Sequence, residues 1–213
     1  MNYDQEYGRS GAYFGADPEA LLVQFVQRFP VDLPILDVGA GQGRNAFFAA
    51  ARGVTVHALE PAPKAAAALR REALRRELPL EVFSTTFEQF QPPVPAYGGV
   101  LVFGLIPDLD REGVATLLRW IRQWSRPGAL LMLTGFTTAD PAYAQHRAQW
   151  REIAPHSFRS AQGRVRTYLE AGEILRLLGP AEVLHHWEGL GPEHRHGDGP
   201  VERHGRFEVV ARR

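Results

Sequence analysis

The chain has no cysteine, which excludes disulfides, thiol nucleophiles and thiolate-bound metals and fits a cytoplasmic setting. Lysine is nearly as scarce. Lys64 stands alone, so every other basic side chain is an arginine, suited to bidentate anion contacts as well as to ordinary surface charge. Net charge is absent too: Lys+Arg and Asp+Glu both total 24, so no global field draws in nucleic acid or an anionic membrane. No apolar run approaches the ~20 residues of a membrane helix. The first residues, Met-Asn-Tyr-Asp-Gln-Glu, also lack the basic and apolar regions of an export signal. The expectation is a cytoplasmic protein with no nucleic-acid and no membrane partner; monomer or homodimer is left open.

What is present is an ordinary globular balance, 213 residues with 45% hydrophobic and 23% charged, enough for one substantial core. Asp17-Pro18 reads as a cap and first helical position, followed by Leu21, Leu22, Phe25, Val26 and Phe29 at helical spacing. Strands are expected at 33–38, 54–59, 80–83, 99–103 and 129–133. Helices are expected at 44–52 and 62–78, with another after Asp110 that carries Val114, Leu117, Leu118 and Ile121. Arg70, Arg71, Arg75 and Arg76 interleave with Glu72 and Glu77, which marks a solvated face. Residues 137–165 lack periodicity and read as an excursion over the sheet. A helix at 169–178 and closing strands at 183–187 and 207–211 follow.

This alternation predicts an α/β fold: one Rossmann-like, doubly wound, mostly parallel seven-stranded sheet with helices on both faces. One domain is expected over 1–213. Within it, 1–30 forms an N-terminal lid and helix, 31–136 a cofactor-binding core, and 137–213 an acceptor-side insertion with closing strands. In such sheets ligands sit beyond the carboxyl ends of the strands. The first such end runs from Asp37 through Gly39, Gly41 and Gly43.

A glycine loop alone leaves the cofactor open, and Gly41-x-Gly43-x-x-Ala46 satisfies a dinucleotide pattern. Asp37 discriminates, because a carboxylate at the strand mouth repels a pyrophosphate and attracts a cation. Glu60, at the end of the second strand, is placed to accept ribose hydroxyls, a feature common to several nucleoside cofactors. An NAD-linked oxidoreductase therefore stays as one alternative. A cofactor-binding module without catalysis is another.

Ile35-Leu36-Asp37-Val38-Gly39-Ala40-Gly41-Gln42-Gly43 and Val56-His57-Ala58-Leu59-Glu60 resemble the first two motifs of the class I S-adenosylmethionine-dependent methyltransferases. The resemblance implies S-adenosylmethionine as cofactor. It also implies a binding set of Asp37, Gly39, Ala40, Gly41, Gly43, Asn45, Glu60, Pro61, Thr86, Phe87, Phe103 and Gly104. Thr86 stands where the family usually has an Asp for adenine, and Gly98 where an Asp is common before the fourth strand. Gly43-Arg44-Asn45-Ala46, with Gly191-Pro192-Glu193-His194-Arg195, is similar to the tellurite-resistance-type methyltransferases. That similarity implies a small-molecule acceptor, an oxyanion or soft nucleophile, oriented by His194 and Arg195, with Arg203 as a further match.

His185, His186, His194, His196 and His204 cluster near Asp198. Acceptor chemistry through His194, a metal on His194, His196 and Asp198, and plain surface histidines compete as explanations. The spacing is poor for a metal, and no metal is expected. Tyr3, Tyr7 and Tyr13 are lid candidates, with a frayed terminus as the alternative.

Overall fold

The computed structural model describes residues 13, 15–195 and 199–213. Helix α1 (Ala20–Phe25) begins later than the Asp17-Pro18 signal predicts, with Glu19 at its cap position, and passes into a 3-10 turn at Val26–Arg28. Then come β1 (Ile35–Val38), α2 (Arg44–Ala50), β2 (Val56–Leu59), α3 (Pro63–Arg75), β3 (Leu80–Phe83) and β4 (Tyr97–Val102). Helix α4 (Arg111–Trp124) is capped by Asp110, whose carboxylate accepts from the Gly113 amide at 2.9 Å. Strand β5 (Ser125–Thr137) is longer than the predicted 129–133.

The predicted excursion is structured. Helix α5 (Tyr143–Gln149) leads into the hairpin β6 (Arg151–Ala154) and β7 (Ser157–Arg159), which pairs with β8 (Val165–Leu169). The expected helix at 169–178 is shorter: Leu169 ends β8, and α6 is confined to Glu173–Leu178 behind a turn in which Gly172 has a φ of 67°. Strands β9 (Glu182–Leu190) and β12 (Gly205–Arg212) close the fold around a short ribbon, β10 (His194–Arg195) with β11 (Val201–Glu202).

The sheet has ten strands where seven are expected. The run β3-β2-β1-β4-β5-β12-β9 is the doubly wound core, parallel through β5 and antiparallel at β12 and β9. The other three extend it. β12 occupies one edge of β5 up to Phe136, so β8, pairing Phe136 and Thr137 with Tyr168 and Leu169, must take the opposite edge beyond the end of β4. The hairpin thus stands over the carboxyl end of the sheet.

Alternation along β1 sorts side chains between two cores: Ile35 packs beneath α1, α2 and α3, while Leu36 and Val38 meet α4 and α6. Helix α3 turns its alanines inward and leaves Glu72 paired with Arg75 and Arg76 at 2.6 and 2.5 Å, the solvated face expected for it. Trp120 and Trp124 stack one turn apart with centroids at 5.6 Å, whereas Trp187 is exposed.

Gly98 has a packing explanation. A Cβ there would lie 2.2 Å from Pro30 Cγ, so the segment after α1 seats directly on β4 and leaves no room for the more usual Asp. Gly98→Asp should lower the urea-unfolding free energy by ~3 kcal/mol or more through overpacking and a buried charge. Wild-type stability in that variant would contradict this packing.

Candidate active site

At the end of β1 the chain turns sharply. The Gly39 and Ala40 amides both donate to the Leu59 carbonyl, at 3.0 and 2.9 Å, which ties the turn to the end of β2. Gly39, Gly41 and Gly43 hold φ of 76°, 57° and 88°, a region costly for residues with a Cβ. At Gly43 a Cβ would also lie 2.5 Å from Leu69 Cδ2, so the loop needs glycine there to let α2 settle against α3.

Glu60 clamps this loop. One carboxylate oxygen accepts the Gly41 amide at 2.7 Å and the other accepts the Ala62 amide at 2.8 Å, bridging the loops after β1 and β2. Asp37 is also buried, at 2% exposure, and its Oδ2 has no hydrogen-bond partner. Burial pushes its carboxyl from 3.8 up to about 7; the Arg44 guanidinium opposes the rise and the negative Glu60 adds to it.

Beside these acids lies a cavity of about 170 Å3 lined by Gly39, Pro61, Thr86 and Phe87 of the expected set. Thr85, Leu105 and Leu109, outside that binding set, line it too. The two leucines flank the 3-10 turn at Ile106–Asp108, a local feature with no motif. Gly104 sits beyond β4 and donates its amide to Thr134 Oγ1 on β5 at 3.1 Å, next to Phe103.

Two members of the expected cofactor set face structural tasks. Asn45 Oδ1 accepts the Glu19 amide at 2.9 Å, joining α2 to the start of α1, and Ala40 is buried in the core beneath the helices. Arg44 donates to one Glu19 carboxylate oxygen at 2.5 Å and Arg206 on β12 donates to the other at 2.9 Å. Burial pushes the Glu19 carboxyl up, but Arg206 and Arg44 outweigh it and hold the group below the usual carboxylate range. Chain separation hides this cluster from sequence reading: Glu19 and Arg206 lie 187 positions apart.

On the acceptor side, His194 Nδ1 lies 3.2 Å from the Pro192 carbonyl, Arg195 donates to the Gly199 carbonyl and Arg203 to the Gly191 carbonyl. The ribbon thus uses both arginines on its own backbone. His196 and Asp198, needed for the metal alternative, and Tyr3 and Tyr7 lie outside the described residues. Tyr13 donates its amide to Gln42 Oε1 at 2.7 Å, bringing the N-terminal segment to the glycine loop. No helix among the described residues is long and apolar enough to cross a membrane.

The raised Asp37 value has a stability consequence. The carboxyl titrates at about 7 in the fold against 3.8 when exposed, so its contribution is fully present below the exposed value and is lost as pH rises through the folded one. Ligand-free protein should unfold at lower urea concentration at pH 8 than at pH 5. Asp37→Asn should flatten that slope and exceed wild type at pH 8 by ~1–4 kcal/mol. A wild-type midpoint independent of pH over this range would contradict the assignment.

Comparison with known proteins agrees with this architecture. Residues 35–128 match a family described as "Methyltransferase domain". Over 159 residues the chain is 26% identical to "Hemagglutinin 1" of Eikenella corrodens, covering 73% of this chain and 49% of that protein; the chain thus spans about half the length of that curated relative. Its fold resembles an S-adenosylmethionine-dependent methyltransferase of Methanosarcina mazei, with TM-score 0.74 and 17% identity over 92% of this chain and 98% of the other. It also resembles TehB from Haemophilus influenzae, with TM-score 0.69 and 17% identity over 91% and 61% of the two chains. The chain thus has the class I S-adenosylmethionine-dependent methyltransferase fold, and its residues 35–128 are similar to the methyltransferase-domain family.

Proposed function

We propose that the chain transfers a methyl group from S-adenosylmethionine to a small-molecule acceptor. The observation that carries this reading is Asp37, a buried carboxyl with an unpartnered oxygen beside a glycine turn. Such a group asks for a cation. S-adenosylmethionine brings an ammonium and a sulfonium and no phosphate, whereas a dinucleotide would set its pyrophosphate against the same carboxylate. For unit charges ~4 Å apart at an effective dielectric of ~20 the difference in sign is worth ~4 kcal/mol each way.

The remaining residues fit that cofactor. The turn through Gly39, Ala40, Gly41 and Gly43 presents backbone to its amino-acid part, and Asn45 on α2 follows it, tied to the Glu19 amide. Glu60, whose oxygens accept the Gly41 and Ala62 amides, is the residue proposed to meet the ribose hydroxyls. Pro61, Thr86 and Phe87 border the cavity that suits the adenine, and Phe103 with Gly104 forms the floor toward the acceptor. When bound, the cofactor supplies an already activated methyl group. The protein's part is to hold the reacting atoms at near-attack distance, an effect worth up to ~7–11 kcal/mol. His194 and Arg195 are the residues proposed to orient the acceptor, including an oxyanion or soft nucleophile; the His194 ring lies 5.1 Å from that of His204, at the edge of the sheet's carboxyl end.

Titration calorimetry with S-adenosylhomocysteine should show one site, weakened ~10-fold or more by Asp37→Ala and by Glu60→Ala. With methyl-labelled cofactor and a panel of tellurite, selenite, thiols and phenols, His194→Ala and Arg195→Ala should lower turnover and leave cofactor affinity unchanged. Failure of the wild-type protein to bind S-adenosylhomocysteine overturns the proposal.

A further inference from the structure

A second acid pairs with a histidine outside the cofactor cleft. Asp140, in the turn after β5, is almost fully buried, and its Oδ2 lies 2.9 Å from His204 Nδ1 and accepts the Gly205 amide at 3.1 Å. The other oxygen accepts the Ala142 amide at 2.8 Å. The contact depends on Gly205: a Cβ there would lie 2.4 Å from the Asp140 backbone nitrogen, so a larger residue would push the turn off β12. The imidazole is fixed in plane as well as in direction. It stacks on Phe136 with centroids 4.2 Å apart and an interplanar angle of 22°, and Phe136 is backed in turn by Tyr168.

The location matters as much as the pair. β12 runs antiparallel to β5, so its first residues lie at the carboxyl end of the parallel strands, the end that carries Asp37, Glu60 and Gly104. In the strand order, β12 is two positions from β4, a lateral distance of about 10 Å. Hairpin β6–β7 and ribbon β10–β11 flank this end and leave His204 with 15% side-chain exposure.

We propose that His204, oriented by Asp140, is the general base for an acceptor whose reacting atom carries a proton, an O–H or N–H nucleophile; the inference rests on the methyltransferase reading above. Asp140 accepts the Nδ1 proton and so leaves Nε2 as the basic nitrogen. In the step, the acceptor's O–H or N–H bond breaks and its proton passes to Nε2. The freed O–H pair, or for an amine the nitrogen's own lone pair, forms the bond to the methyl carbon, and in the amine the N–H pair stays on nitrogen. The methyl–sulfur bond breaks with its pair returning to sulfur, giving a neutral thioether, and the imidazolium then loses its proton to water. His204 is the catalytic residue here and Asp140 a positioning residue. Among the described residues, the titratable groups facing the ring include Asp140, Glu202 at 3.6 Å from Nε2, and His194 across the ribbon; Tyr168 stands behind Phe136.

The test uses the full chain with His204→Gln and Asp140→Asn. All three proteins should bind S-adenosylhomocysteine equally by calorimetry. With phenols, alcohols and amines as acceptors, His204→Gln should lower kcat ~10²–10⁴-fold and remove the acidic limb of the pH–rate profile. With thioethers or pre-ionised oxyanions, rates should stay within a factor of about three. In the S-adenosylhomocysteine complex, imidazole 15N signals should place the proton on Nδ1 of His204 in wild type and not in Asp140→Asn. Equal loss with protic and aprotic acceptors, transfer to aprotic acceptors alone, binding without transfer to any acceptor, or a wild-type proton on Nε2 would each overturn the base assignment while leaving cofactor binding intact. Loss of S-adenosylhomocysteine binding by wild type would instead overturn the methyltransferase reading itself.

Discussion

Burying a carboxyl costs several kcal/mol unless a partner compensates it, and Asp37 is buried at the end of β1 with one oxygen unpartnered. The surroundings do little to relieve it: Arg44 lowers its carboxyl value, but desolvation and the nearby Glu60 outweigh that pull. The strand end is therefore poised for a cation, and its neighbours are arranged so that one can approach. Three left-handed glycines fold the chain away from the strand mouth. Glu60 holds that fold open by accepting a backbone amide from each of two loops. The cleft is made of backbone and held by one side chain, an arrangement that suits a ligand recognised through its charge and its ribose.

A third acid, Glu19, links parts of the chain at longer range. Arg44, one residue past the glycine loop, reaches Glu19 at the start of α1, and Glu19 reaches Arg206 on the second-last strand of the sheet order. Arg206 faces Phe136 across the β5–β12 pair, and Phe136 carries His204 on its ring. Paired charges, a strand register and a stacked ring thus run from the glycine loop to the far side of the sheet's carboxyl end. Tyr13 meets the same glycine loop by donating its amide to Gln42 Oε1.

Elements carried by local signals were legible in the sequence. The β1 and β2 motifs, the glycine turn, Asp110 as a cap and the alternation that implies a doubly wound sheet all rest on residues near one another in the chain, and the structure has them. Thr86 and Phe87, which the resemblance names for the adenine contact, line the cavity after β3. Features decided by distant contacts were not legible. The three added strands depend on β8 finding the free edge of β5 beyond β4. Asn45 turned toward Glu19 because that amide lies over α2, a fact no local pattern contains. His204 was visible as one histidine among several; only the fold supplies Asp140 from 64 positions away and the Phe136 ring beneath it.

With its carboxyl raised to about 7, Asp37 should be partly protonated at neutral pH before a cation arrives and ionised once one is bound. Measuring the enthalpy of S-adenosylhomocysteine binding at pH 7 in two buffers of different ionisation heat counts the protons exchanged. With the carboxyl at about 7, the account predicts release of about half a proton per molecule bound, and none in Asp37→Asn. Binding with no buffer dependence in the wild-type protein would contradict it.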